Sequence, residues 1–227
     1  MSYYFKPHVH HVHINNEVTI LDEISDRYIL LSEKQSRLLE KYMKTGEENS
    51  LGTELKRAGL IWNKSGMSLS LSSASPEGIG LYSWSSNVIV PPLITTLFYL
   101  PESIFRIITV RKRLHLYGLH GCLQHCRNKL KSIQKKDYDY NKQIGNAEFF
   151  GQCIKCVSPF FPGKVKCLEF SLSLFDMLIA RGIKAQLFIG IQRYDFLSHA
   201  WLEINNRVIA DDENLKTKLT PIISVTL

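Results

Sequence analysis

The chain reads as an α+β protein in two parts. Three short strand-like runs followed by helical runs fill the first 70 residues. A Ser-rich break carrying Pro76, Gly78 and Gly80 follows. A helix-then-strands series then opens at Cys167. The 227 residues, 44% of them apolar, suffice for one large domain or for a small and a medium one. The expected division is a small domain over 1–70, a linker over 71–87 and a larger domain over 88–227.

In the first domain, residues 8–14, 17–21 and 27–31 are strand candidates, with turns at Asn15-Asn16 and Ser25-Asp26. Ser32 and Gln35 form a capping box that opens a helix through Lys44, and Gly46 follows as a stop. A second helix over 50–58 ends at Gly59. Residues 60–62 and 67–71 are expected to pair as a wing-like hairpin, which makes the domain winged-helix-like. A DNA-binding reading is thin: the second helix sets only Lys56 and Arg57 against Glu54. His8, His10, His11 and His13 alternate between strand faces, so no metal site is expected.

Residues 88–142 are expected to be mainly helical. The apolar stretch 88–110 is interrupted by Pro91, Pro92 and Pro101 and contains Glu102 and Arg106, so it reads as packed helix rather than a membrane span. Net charge is +7, and residues 103–136 hold nine Lys/Arg and no acid. Such a stretch is either a solvated helix face or a surface for an acidic partner. The five cysteines are an odd count. Cys122 with Cys126, and Cys153 with Cys156, read as buried thiols rather than zinc ligands. With no export signal, a reducing cytoplasm is the expected setting.

Cys167 begins an apolar run in which Leu168, Phe175, Leu178 and Ile179 recur at helical spacing before Gly182. A thiol at a helix N-terminus meets free backbone N–H groups and the positive end of the helix dipole, which favour thiolate. Residues 184–191, 198–204 and 207–211 then read as three buried strands. Ala200, Leu202 and Ile204 share one face, so His199 and Trp201 point the other way. A three-residue loop over 205–207 would keep one face apolar, pair Ile204 with Val208, and set Asp211 diagonal to His199. A two-residue turn would bring Asp212 opposite His199 instead. The first register is the expected one, giving Cys167 as nucleophile, His199 as base and Asp211 as orienting carboxylate.

From about residue 145 the chain resembles the B proteins of lasso-peptide biosynthesis. The carrying residues are Lys166-Cys167-Leu168-Glu169-Phe170, Arg181-Gly182-Ile183-Lys184-Ala185, Phe196-Leu197-Ser198-His199-Ala200-Trp201-Leu202-Glu203 and Val208-Ile209-Ala210-Asp211. That resemblance implies a papain/transglutaminase-like cysteine peptidase that removes the leader from a ribosomal precursor peptide. The core's freed amine is then closed into a ring by an asparagine-synthetase-like cyclase partner. ATP dependence is associated with the family, yet no G-x-x-x-x-G-K-[ST] occurs, so no cofactor is expected in this chain itself. Residues 20–32 resemble the peptide-recognition element of such enzymes. This implies that the leader adds as a strand along Arg27, Tyr28, Ile29, Leu30 and Leu31, and that residues 1–70 suffice to bind it.

The Cys167 N–H at the helix start is the expected first oxyanion donor, and Gln152 the candidate second. The alternatives are a different Cys-dependent acyl transferase on the same fold, a non-catalytic carrier of the precursor peptide, and a basic DNA binder.

Overall fold

The structure, a computed structural model, describes residues 2–69, 73–79, 93–133 and 139–226. Its first four strands are β1 (Tyr4–Phe5), β2 (Val9–Ile14), β3 (Glu17–Asp22) and β4 (Arg27–Leu30). The β2–β3 turn is two residues long, with Asn15 and Asn16 at φ 48° and 65°. Asn tolerates this left-handed region, which suits the twist of a two-residue hairpin. Helix α1 (Glu33–Thr45) starts at the Ser32 capping box: the Ser32 N–H donates to Gln35 Oε1 at 2.9 Å, and the Gln35 N–H to Ser32 Oγ at 3.4 Å. Gly46, at φ 75°, closes it. Helix α2 (Ser50–Arg57) is capped by Asn49, whose Oδ1 accepts from the Gly52 N–H at 2.8 Å.

The expected wing hairpin is a correction. Strand β5 (Ile61–Trp62) pairs antiparallel with β1, and Met67 bridges Phe5, so the N-terminal strand separates the two expected wing strands. Residues 70 and 71 lie outside the described residues. Phe5 is fully buried in the first module's core, and its backbone passes so close to Gly66 that an added Cβ would sit 2.4 Å from the Phe5 carbonyl oxygen. Burial of Phe5 outweighs local wing pairing.

Of the expected linker, residues 71–72 and 80–87 lie outside the described residues. Between them, β6 (Ser73–Ala74) pairs parallel with β2, completing a sheet of order β4-β3-β2-β6. The Ile79 N–H donates to Gln192 Oε1 at 2.6 Å, so this stretch is bonded to both halves of the chain.

The long helix α3 (Leu93–Ser132) breaks direction at Gly118, whose φ of 62° and ψ of −167° only glycine adopts readily. Helices α4 (Tyr140–Val157), ending in a 3-10 turn over Ser158–Phe160, and α5 (Cys167–Ile179) pack against α3. Residues 88–92 and 134–138 of the expected helical stretch lie outside the described residues. Cys122, Cys126 and Cys153 are buried in this helical layer, and all five cysteines are free. Among the described residues no helix is long and apolar enough to cross a membrane.

The helices cover a second antiparallel sheet of order β10-β7-β8-β9. Its strands are β7 (Gln186–Gln192), β8 (Leu197–Ile204), β9 (Arg207–Ile209) and β10 (Thr220–Val225). A short helix, α6 (Leu215–Lys218), precedes β10. Leu202, Ile204 and Ile209 join the helical core, while Trp201 and Val208 pack with Leu215 and Leu219 on the opposite face.

The β8–β9 register is the second correction. Ile204 pairs with Arg207, Glu203 with Val208 and Leu202 with Ile209, around a two-residue turn whose Asn205 and Asn206 have φ 48° and 67°. The expected register keeps one face of β8 wholly apolar, but both faces are buried. Register is therefore not set by keeping one face apolar. Arg207 sits at the end of an edge strand and reaches Glu213 at 3.6 Å, so its charge stays in solvent.

The two halves are joined by buried contacts. β10 lies against β2, and Ile14 and Leu21 belong to the larger core. Glu23, 1% exposed, accepts from His10 at 2.9 Å, His120 at 2.6 Å and Arg127 at 3.0 Å. Arg193 Nε donates to Glu17 at 2.9 Å, and its NH2 group to the Leu31 carbonyl at 3.0 Å.

Candidate active site

Cys167 is the first residue of α5. The loop that delivers it is clamped by Arg111, which donates to the carbonyls of Pro162, Gly163 and Lys164 and to Glu169 Oε2 at 2.9–3.3 Å. Glu169 Oε2 also accepts from the Lys166 N–H at 3.0 Å and so caps the helix start. One turn on, Ser171 Oγ donates to the Ala200 carbonyl at 2.9 Å, which fixes α5 against β8 beside His199.

His199 Nε2 lies 2.8 Å from Asp211 Oδ2. The other ring nitrogen is left for Cys167, and the two groups act on each other's protonation. Asp211 reaches His199 despite the two-residue turn because the chain leaves β9 at Ala210, whose φ is 55°. Continued pairing from Leu202↔Ile209 would place Asp212 across from His199. The left-handed step at Ala210 advances the chain by one position instead, and Asp211 takes that place. Helix α4 holds the step: the Ala210 N–H donates to Glu148 Oε2 at 3.1 Å, and Gly151 leaves room for Ala210, whose Cβ would lie 2.3 Å from a Cβ added there. Asp212 turns away to Lys218 at 2.5 Å.

Burial alone would raise the Cys167 thiol, but the hydrogen bond and charge of His199, with backbone hydrogen bonds at Ala200 and Leu168, hold it below its ordinary value. Burial would lower His199, but Asp211 and Cys167 hold it above its ordinary value. The two shifts together favour a thiolate–imidazolium pair. The Trp201 indole lies nearly parallel to the imidazole, at 11° with centroids 6.5 Å apart, and donates to the buried Glu203 carboxylate at 2.9 Å. Gly190 makes room for that indole, since a Cβ there would come within 2.7 Å of it.

Cys167, His199 and Asp211 line a groove of about 520 Å³. Gln152, the candidate second oxyanion donor, is buried outside this lining; its Oε1 atom has no partner among the described residues. Lys155 and Ser198 also line the groove; Lys155 has no signal in the sequence, and Ser198 has one only through the resemblance around His199. Glu148, Gly151 and Arg111 also escape sequence reasoning, because they act through long-range packing.

The strand expected to bind a leader is the outer strand of its sheet. Leu31 N–H donates to the Val18 carbonyl at 2.9 Å. Hydrogen bonds in an antiparallel pair involve alternate residues, so Ile29 also faces β3, and the outward groups are those of Tyr28 and Leu30. Arg27 is exposed, Ile29 and Leu31 pack into the first module's core, and Leu30 is half exposed. Tyr28 turns toward the groove that holds Cys167: its hydroxyl lies 2.7 Å from Ser198 Oγ, next to His199, and its ring meets Phe196 edge-on at 5.1 Å. Among the described residues no three His, Cys, Asp or Glu side chains are grouped to hold a metal.

The family model of the transglutaminase-like superfamily matches residues 107–224, just over half of the chain. The chain belongs to the transglutaminase-like superfamily. A curated relative is the microcin J25-processing protein McjB of Escherichia coli, 39% identical over 62 residues. That match covers 27% of this chain and 30% of McjB. No solved structure matches. Membership in the transglutaminase-like superfamily agrees with the α+β fold and with a thiol at the start of a helix packed on an antiparallel sheet.

Proposed function

We propose that this chain is a cysteine endopeptidase that removes the leader from a lasso-peptide precursor. The observation that carries the reading is the His199–Asp211 pair beside Cys167 at the head of α5, in one groove, with shifts that favour thiolate and imidazolium. The likeness to a microcin-processing protein supports the substrate class. Cys167 thiolate attacks the scissile carbonyl, and the oxyanion is met by N–H groups at the helix start. Protonated His199 donates to the leaving amine, then deprotonates the water that releases the acyl-enzyme. Asp211 holds the imidazole tautomer and offsets its charge. Leader residues add along the outward groups of Tyr28 and Leu30, giving main-chain affinity without demanding one sequence.

The product amine is what an asparagine-synthetase-like cyclase would consume next. The chemistry of the three side chains needs no cofactor, so ATP, if cleavage responds to it, acts outside this step. A reducing cytoplasm suits a free thiolate. The test is incubation of the purified chain with its precursor peptide, with and without ATP, and mass spectrometry of the products. Separate leader and core from wild type, and intact precursor with Cys167→Ala, is the expected result. Intact precursor with both proteins defeats the reading.

A further inference from the structure

The groove around Cys167 holds a cation that the reaction does not use. Lys155, in the last turn of α4, lines the groove, and its Nζ lies 6.0 Å from the Phe170 ring centroid. The other polar side chains of the lining are engaged. Asp211 bonds to His199, His199 acts in turn on Cys167, Ser158 Oγ donates to the Ile154 carbonyl at 2.7 Å, and Ser198 Oγ meets Tyr28.

Among the described residues Lys155 has no carboxylate within ion-pair distance. Asp211 and Glu148 act on it only as more distant charges, and each is bonded elsewhere. Burial lowers the Lys155 ammonium below its ordinary value, against the pull of those two carboxylates. The rest of the lining, with Pro159, Val165, Phe170, Leu197 and Ala210, is apolar. A helix C-terminus accounts for a cation in this turn. It does not account for a partly desolvated ammonium, short of a partner, on the wall of a catalytic groove.

We propose that Lys155 forms an anion subsite in the catalytic groove and selects peptides that carry a carboxylate beside the bond to be cut. The inference rests on the reading of Cys167 as nucleophile. A substrate carboxylate would replace lost hydration with a charge-assisted hydrogen bond, strengthened by the apolar walls. The carboxylate has two possible sources: an Asp or Glu side chain, or the C-terminus of a short peptide.

The test uses the full chain and needs no natural substrate. Modification of Cys167 is timed by mass spectrometry with two reagent pairs, each an anion and its neutral analogue. The first pair is iodoacetate and iodoacetamide. The second is the benzyloxycarbonyl-Asp and benzyloxycarbonyl-Asn fluoromethyl ketones. The expected result is that Lys155→Gln lowers the anionic-to-neutral rate ratio about tenfold in at least one pair, while Lys155→Arg keeps it. A change in the ketone pair marks a side-chain carboxylate, and a change in the acetate pair alone marks a small terminal one. An unchanged ratio in both pairs overturns the inference. So does an equal loss on both members of a pair, which would place Lys155 on the thiolate or the oxyanion. If wild-type Cys167 reacts no faster than Cys156, the nucleophile reading itself fails, and this inference falls with it.

Discussion

At the scale of single residues, the site depends on the left-handed step at Ala210. An alanine there is strained on the order of 1 kcal/mol. The strain is met by the Glu148 hydrogen bond and by close packing on Gly151. Asp211→Asn should lower turnover on the order of 10³-fold or more, since the imidazole loses its orienting anion. Asp212→Asn should cost less than about threefold, because its carboxylate serves Lys218 and the Asn214 N–H. Steady-state cleavage kinetics of the two variants check this, and the reverse ranking would contradict the geometry. Gly151→Val should displace Ala210, costing roughly 1–3 kcal/mol of stability; it should also slow cleavage in protein that is still folded, measured by thermal unfolding and assay together. Asp211 is legible in the sequence through the family resemblance of Val208-Ile209-Ala210-Asp211, whereas the strand-pairing argument reaches it through the wrong register. The Cys167 helix start and the His-Ala-Trp strand carry local periodicity and can be read directly. A positive φ at Ala210 has no local signature, because it is imposed by α4 some 60 residues earlier in the chain.

At the scale of elements, β4 joins the proposed leader-binding edge to the proposed catalytic groove through Tyr28. Its outward groups belong to Tyr28 and Leu30, while Ile29 is bonded into the sheet. Leu30→Pro should therefore remove an outward N–H and weaken leader binding about tenfold with the fold intact. Ile29→Pro should instead break the β3–β4 pair and destabilise the module. Titration calorimetry with the leader, beside thermal unfolding of each variant, separates the two effects. Equal loss of binding with intact stability in both would show that the leader lies elsewhere. Tyr28→Phe keeps the ring against Phe196 but loses the Ser198 hydrogen bond, so turnover should fall while leader affinity stays nearly constant. The capping box and the Asn turns of this module are strong local signals and legible in sequence. β1 is not, because two residues carry no periodicity and Phe5 is placed by burial.

At the scale of the whole molecule, the first sheet and the transglutaminase-like half share buried surface and charge. Glu23 is the clearest joint. Burial would raise its carboxyl, but His10, Arg127 and His120 bring it down to about 2. A carboxyl depressed in the folded state stabilises above its unfolded value, 4.5, and that stability is lost as pH falls toward about 2. Denaturation midpoints followed downward from pH 5 should fall more steeply for wild type than for Glu23→Gln, which should already be weaker at neutral pH. Parallel curves would remove Glu23 from the joint. An isolated 1–70 fragment would expose Ile14 and Leu21 and strip Glu23 of His120 and Arg127, so binding is better measured in the full chain with Cys167→Ala. These contacts join positions about 100 residues apart, which no local pattern in the sequence reports.

The central claim is that Cys167 is a thiolate poised by His199, and the most direct measurement is its carboxamidomethylation rate by iodoacetamide as a function of pH. In wild type, fast reaction should persist well below the ordinary thiol value of 9.0, because the thiol is depressed and the imidazolium beside it is held above its own ordinary value. His199→Ala should return the profile toward that of an isolated thiol. A wild-type profile that rises only near 9.0, unmoved by His199→Ala, would contradict the account.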